Sequence, residues 1–179
     1  MERRISMTHT KKMILMSLFA AIIAISSLIV IPLGAVPISL QSLAIMVTGL
    51  CLKPKEATGS VAVYILLGSV GLPIFAGGSS GIGALVGPTG GYIFGFLAGV
   101  FVISYMVRKE YNWKKALLGL LLGGLVLVYG FGVSWLAYQT KMPFVKALQV
   151  GMLIFIPGDL VKVGIALVLG QRLQRHIKY

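Results

Sequence analysis

The chain has 179 residues, 58% hydrophobic and 11% charged, with a formal net charge of +12 at pH 7 and a mean hydropathy of +0.96. Soluble domains carry about 25% charged residues to stay dispersed, so a water-soluble globule is excluded. The basic balance alone would suit nucleic acid, but the cations sit between apolar runs, as set out below, and that partner is excluded too.

Apolar runs cover residues 13–31, 38–52, 57–72, 92–107, 116–136 and 148–169. Crossing hydrocarbon takes about 20 helical residues; the first, fifth and sixth runs meet that unaided, while the second and third are short. Six spans consume most of the chain, so the expectation is one all-α integral membrane domain, 1–179, with six transmembrane helices. The first run lies behind Arg3, Arg4, Lys11 and Lys12 and resembles a signal peptide. Its apolar core exceeds the 7–15 residues of such a segment and no A-x-A cleavage site follows, so a retained signal anchor is expected.

Arg3, Arg4, Lys11 and Lys12 precede the first span, and Lys53 and Lys55 separate the second from the third. Arg108, Lys109, Lys114 and Lys115 separate the fourth from the fifth, and Arg172, Arg175 and Lys178 follow the sixth. These alternate segments hold 13 of the 16 Lys and Arg residues. The opposite side has Lys141 and Lys146. Lysine and arginine concentrate in cytoplasmic loops, which puts both termini in the cytoplasm. Parity and charge lead independently to the same topology.

In the first span Ala20 and Ala24, one turn apart, leave a smooth face where another helix can approach closely, or serve as ordinary small filling. The uncharged stretch Pro32-Leu33-Gly34-Ala35-Val36-Pro37 turns the chain, and Pro37 is expected in the first turn of the next helix, where its missing N–H costs nothing. Gln41 near that helix's outer end offers amide groups either to a solute or to a neighbouring helix. Cys51 is the single cysteine, a small apolar filler with no disulfide partner and no metal cluster. His9 and His176 suggest neither ligand nor base.

Glycine becomes dense between Gly68 and Gly99. From Gly71 to Gly91 it alternates with Ile, Leu, Val and Phe and lacks any charge, unlike a flexible aqueous linker. A compact cap folded on an apolar site is expected, with Gly77, Gly78, Gly90 and Gly91 bringing backbone close to a ligand. There is no G-K-[ST] ending for a phosphate loop. Gly87, Gly91, Gly95 and Gly99 recur every four residues, as do Gly119 and Gly123, a pattern that packs helices backbone to backbone. Tyr92 and Phe94 flank the stripe's outer end as stacking surfaces or, for Tyr92, an interfacial anchor.

The last run contains Phe155-Ile156-Pro157-Gly158-Asp159-Leu160-Val161-Lys162. An Asp or Lys at the centre of a span costs roughly 2.5–3.5 kcal/mol, which an anchor has no reason to incur. Pro157-Gly158 interrupts the helix, Asp159 falls in the first turn of the new one, and Lys162 faces the same side. Broken helices of this kind build solute sites. A self-satisfied pair holding helices together and a proton relay are the alternatives, the relay weakened because Glu2, Glu56 and Glu110 all lie in cytoplasmic segments. No ATP-binding motif and no catalytic constellation accompanies the pair, so an enzyme or self-powered pump is not expected.

With Val36-Pro37-Ile38-Ser39-Leu40-Gln41-Ser42-Leu43, then Val63-Tyr64-Ile65-Leu66-Leu67-Gly68-Ser69-Val70-Gly71-Leu72-Pro73-Ile74-Phe75, Gly87-Pro88-Thr89-Gly90-Gly91-Tyr92 and the 155–162 segment in this order, the chain resembles the BioY family, the biotin-capturing S components of energy-coupling-factor importers. The resemblance implies a six-helix bundle in a prokaryotic plasma membrane that binds biotin from outside, needs no cofactor, and associates with a transmembrane coupling (T) subunit and two cytoplasmic ATP-binding subunits, which some members are reported to dispense with. It implies that Asp159 and Lys162 contact the ligand, that Ala20 and Ala24 touch the coupling subunit, and that the glycine-rich stretch closes over the vitamin. Asp159 can accept the ureido N–H groups of biotin; Lys162 suits either its ureido carbonyl or its carboxylate; backbone N–H groups of Gly77, Gly78, Gly90 and Gly91 suit the other end. Tyr64, Tyr92 and Gln41 are further candidates. No arginine is present in the outer-half segments for a carboxylate clamp. Another small vitamin such as thiamine or riboflavin, a solute-free assembly subunit, and a solitary secondary importer are the competing readings.

Overall fold

A computed structural model describes residues 9–31, 36–108 and 111–174. The cations Arg3, Arg4, Lys109, Arg175 and Lys178, the acids Glu2 and Glu110, His176, and residues 32–35 of the stretch expected to turn the chain lie outside the described residues.

Nine α-helices are present among the described residues. Helix α1 spans His9–Leu28, α2 Gln41–Cys51, α3 Pro54–Ser69, α4 Ile82–Val86 and α5 Gly90–Val107. Helices α6 (Trp113–Gly119) and α7 (Val128–Thr140) are joined through the π-helical segment Leu120–Leu127 into one continuous 28-residue rod, Trp113–Thr140. Helix α8 (Phe144–Leu148) runs through a second π segment, Gln149–Leu153, and meets α9 (Ile156–Gln174) at a 42° bend. The chain is therefore an all-α membrane protein with several spans. Helices α1, α5 and the 113–140 rod are each long and apolar enough to cross a bilayer, and the bent pair makes a fourth if it counts as one span. At 1.5 Å per residue, α2 reaches only about 16 Å and α3 about 24 Å.

Helix α2 starts four residues later than Pro37 suggests. Ile38–Ser39 (β2) is extended and pairs antiparallel with Val30–Ile31 (β1), Val30 opposite Ser39 and Ile31 opposite Ile38. The Leu40 N–H continues the connection to the Ile29 carbonyl at 3.2 Å. Backbone groups that a helix would otherwise satisfy are taken by this pairing, and β-branched residues suit it. Pro37 precedes the strand and is not in a helical turn. Pro54, by contrast, does open its helix, with Glu56 in the first turn; the Glu56 carboxylate is buried and lies 3.8 Å from Lys12, tying α3 to α1.

The glycine stripe packs helices as its spacing predicts. A Cβ on Gly99 would stand 2.2 Å from the Gly123 carbonyl oxygen, and one on Gly91 would stand 2.3 Å from the Trp135 Cβ. Helix α5 thus lies backbone to backbone against the 113–140 rod. Helix α2 is buried almost throughout and runs between α9, α5 and α1. One apolar core gathers Ile23, Leu50, Val61, Tyr64, Ile103 and Ala166; a second, around Tyr92, Tyr129, Val133 and Phe155, lies under the cavity described next.

Candidate binding site

The 42° bend lets α9 restart inside the bundle. The helix begins at Ile156, so the interruption falls just ahead of Pro157 and leaves Asp159 in the first turn, as expected. The Asp159 N–H itself is bonded to the Phe155 carbonyl at 2.9 Å, so the carboxylate draws its partners from elsewhere. Lys162 Nζ donates to Asp159 Oδ1 at 2.8 Å. It also donates to the Ser39 carbonyl at 2.8 Å and to Ser42 Oγ at 2.9 Å. All three ammonium hydrogens therefore have acceptors. Tyr129, on α7, donates to Asp159 Oδ2 at 2.5 Å, and Ser42 Oγ stands 3.5 Å from Oδ1.

Both members of the pair are buried. Removing two charges from water costs several kcal/mol each, regained only when further hydrogen bonds satisfy the remaining valences. Tyr129, Ser42 and the Ser39 carbonyl provide those bonds. The strand at Ile38–Ser39 is what delivers the Ser39 carbonyl to Lys162, so the late start of α2 belongs to the site's construction.

The pair faces a cavity of about 70 Å³, counted as room for the centres of water-sized molecules. One water needs roughly 10–15 Å³ on that measure, so the space suits a small organic ring system. Its apolar wall is Val36, Pro37, Ile38, Phe75, Ala76, Ile93, Phe96, Val128 and Phe155; its polar groups are Ser39, Gln41, Ser42, Thr89, Tyr92, Tyr129, Asp159 and Lys162. Mostly apolar walls with a few convergent polar groups are the usual make-up of a small-molecule site. Gln41 is buried and its Nε2 has no hydrogen-bond partner among the described residues. An unspent amide donor in such a place costs about 1–3 kcal/mol. The Tyr92 hydroxyl is engaged, donating to the Gly151 carbonyl at 2.8 Å, so its ring rather than its hydroxyl is offered to the cavity.

Asp159, Lys162, Gln41 and Tyr92 are thus brought together. Gly77, Gly78, Gly90, Gly91 and Tyr64 are not among the residues lining the cavity. Gly77 and Gly78 adopt φ of 71° and 80° in a 3₁₀ turn, Ala76–Gly78, beside the lining residues Phe75 and Ala76. Gly90 and Gly91 are taken up by packing on Leu85 and Trp135, and the Gly90 N–H is bonded to the Gly87 carbonyl at 3.0 Å. Tyr64 lies behind Phe75, edge to face, with ring centroids 5.5 Å apart. Ala20 is only 3% exposed and belongs to the chain's own core, with the half-buried Ala24 packed against that core, on a helix that contacts α3 and α2.

Tyr129, Phe96 and Phe155 line the site without having been singled out in the sequence. A tyrosine in the middle of an apolar run is the one signal that could have marked Tyr129. The cap is anchored at both ends: Ser27 Oγ on α1 donates to the Ile74 carbonyl, and Trp135 Nε1 on α7 donates to the Gly87 carbonyl at 2.9 Å. Among the described residues no group of three or more His, Cys, Asp or Glu could hold a metal ion.

Comparison with known proteins agrees with this architecture. A sequence model of the BioY family matches residues 1–179. The chain is 38% identical over 165 residues to a protein of Thermotoga maritima named biotin transporter BioY, covering 92% of this chain and 96% of that one. It is 36% identical over 173 residues to a protein of the same name from Rhizobium etli, covering 90% and 92%. A crystal structure described as the S-component for biotin from an ECF-type ABC transporter superposes with a TM-score of 0.87 at 35% identity, covering 95% of each chain. Full-length sequence matches and a shared fold lead to one conclusion: the chain belongs to the BioY family.

Proposed function

We propose that the chain captures biotin as the substrate-specific S component of an energy-coupling-factor importer in a prokaryotic plasma membrane. It is a transport subunit and not an enzyme. The observation that carries the reading is the Asp159–Lys162 pair, neutral overall and set with a few uncharged polar groups in a cavity whose remaining wall is apolar. Biotin presents the complementary surface: a planar ureido group with two N–H donors and a carbonyl, on an apolar bicycle. The relatives' names and the matched S-component's description supply the ligand.

Asp159 is the proposed acceptor for the ureido N–H groups. An ionised carboxylate has about four lone-pair sites, and Tyr129 uses one of those on Oδ2. Lys162 already has three acceptors, which favours the uncharged ureido end over the ligand carboxylate at this position. The Gln41 amide is the proposed donor to a ligand oxygen, and the Tyr92 ring a wall. Gly77, Gly78, Gly90 and Gly91 are proposed to act by shaping the cap and its hinge, and Tyr64 by backing Phe75.

The finer topology is a single domain, 1–179, of six passes with both termini cytoplasmic. The passes are α1, α2, α3, α5, the 113–140 rod and the bent 144–174 pair. In its favour, basic residues cluster at alternate helix junctions, at Lys53 and Lys55, and at Arg108, Lys114 and Lys115. The proposed partners are a transmembrane coupling subunit and two ATP-binding subunits, whose ATP hydrolysis would drive the cycle. If Ala20 and Ala24 touch the coupling subunit, they must do so from the side where Ala24 is half-exposed, or after α1 separates from α3.

Uptake tests the reading. Cells lacking biotin uptake, expressing the chain with coupling subunits, should accumulate labelled biotin, with suppression by unlabelled biotin and none by thiamine. No accumulation of biotin by cells that do accumulate labelled thiamine would replace biotin with another vitamin as the cargo.

A further inference from the structure

We propose that the cap between α3 and α5 is bedded in the outer-leaflet lipid interface, so that phospholipid, not water, contacts its outer face. The cap has two sides. Inward, Phe75 and Ala76 line the cavity. Outward, it exposes Val70 (80%), Leu72, Ile82 (68%) and Val86. Large contiguous apolar patches on a folded surface mark protein or membrane contacts.

Lipid is the occupant for three reasons on the molecule itself. The patch continues the outward apolar face of α3, where Leu66 and Leu67 are also exposed. Helix α4, which carries Ile82 and Val86, is held to the end of α3 by the Gly81 N–H bonded to the Gly68 carbonyl at 2.7 Å. From residue 57 to residue 107 the sequence has no acidic or basic side chain, so neither salt-bridged docking of a protein nor ordinary solvation of an aqueous loop is provided for. The tip between the aliphatics, Ser79-Ser80, is exposed and polar, which suits headgroup depth. Irregular backbone is not tolerated in hydrocarbon proper, so the depth is the boundary where apolar side chains enter and carbonyls stay hydrated.

The consequence is that the covering of the cavity itself contacts the membrane, continuous with the outward face of α3. The test uses the full-length protein in phosphatidylcholine nanodiscs, with nitroxide labels at Ile82→Cys, Val86→Cys and Ser80→Cys in separate samples. Native Cys51 is buried, and unlabelled-site protein serves as the background. Power-saturation accessibility should show the labels at 82 and 86 favouring oxygen over a nickel chelate severalfold relative to the label at 80. Equal nickel access at all three positions would place the cap in water and overturn the proposal. Shielding of 82 and 86 from both reagents would mean that protein, such as a second copy, covers the face, and would overturn it as well.

Discussion

Tyr129 donates its hydroxyl hydrogen to Oδ2 of Asp159 across thirty residues of chain, at 2.5 Å. Lys162 holds Oδ1 from the same helix as Asp159, so the carboxylate is fixed from two sides by two different helices. Its orientation toward the cavity is a product of tertiary structure. A hydrogen bond to a charged group is worth about 1.5–3 kcal/mol. Tyr129→Phe should therefore weaken biotin binding by roughly ten- to a hundredfold, measured by titration calorimetry, with the ring and its packing retained. Unchanged affinity would reduce Tyr129 to a space-filler.

Neutralising the pair one member at a time should differ from neutralising both. Asp159→Asn or Lys162→Met alone strands a buried charge, which costs about 3–5 kcal/mol, and thermal unfolding in detergent should occur at lower temperature for each. The double variant removes both charges and should regain most of that stability without regaining ligand binding. A double variant that bound biotin like the parent would make the pair purely structural.

Gly91→Ala should loosen the bundle, because its Cβ would stand 2.3 Å from Trp135 Cβ and 2.5 Å from the Phe131 carbonyl. Overpacking of this kind costs about 1–3 kcal/mol. Gly130→Ala, in α7 with nothing within 4 Å of the new Cβ, should be neutral or stabilising by up to about 1 kcal/mol. Thermal unfolding of the two variants side by side separates close helix approach from general glycine replacement.

Gln41→Leu should raise thermal stability while lowering affinity for biotin about tenfold. The first effect comes from relieving an amide donor that is buried without a partner, the second from losing its bond to the ligand. Loss of both stability and affinity would point to a structural role for the amide.

The cost of placing charge in hydrocarbon made Asp159 and Lys162 visible in the sequence, and Pro157-Gly158 marked the helix restart beside them. The four-residue spacing of Gly91, Gly95 and Gly99 was equally legible, since close helix packing leaves few other uses for that pattern. The Ser39 carbonyl was not legible, because every residue has one and only the pairing of Ile38–Ser39 with Val30–Ile31 aims it at Lys162. That same pairing, between segments on either side of residues 32–35, overrides the local signal of Pro37 for a helix start. Tyr129 carried no mark of cost, since a tyrosine in an apolar run is ordinary until its partner is known. Gly90 and Gly91 read as donors of backbone N–H groups and Tyr64 as a further side-chain candidate, whereas they pack against Leu85, Trp135 and Phe75 and are not among the residues lining the cavity. Small residues such as Ala20 and Ala24 announce close approach without saying which helix makes it, and Ala20 is buried in the chain's own core.

Equilibrium binding of labelled biotin to the purified protein in detergent, with thiamine and riboflavin as competitors and with Asp159→Asn in parallel, decides the assignment. Capture at this pair predicts saturable binding that unlabelled biotin alone displaces and that Asp159→Asn weakens by roughly ten- to a hundredfold, the about 1.5–3 kcal/mol of a ligand hydrogen bond to a charged acceptor. Saturable binding that survives Asp159→Asn unchanged, or folded protein that binds no biotin, would contradict it.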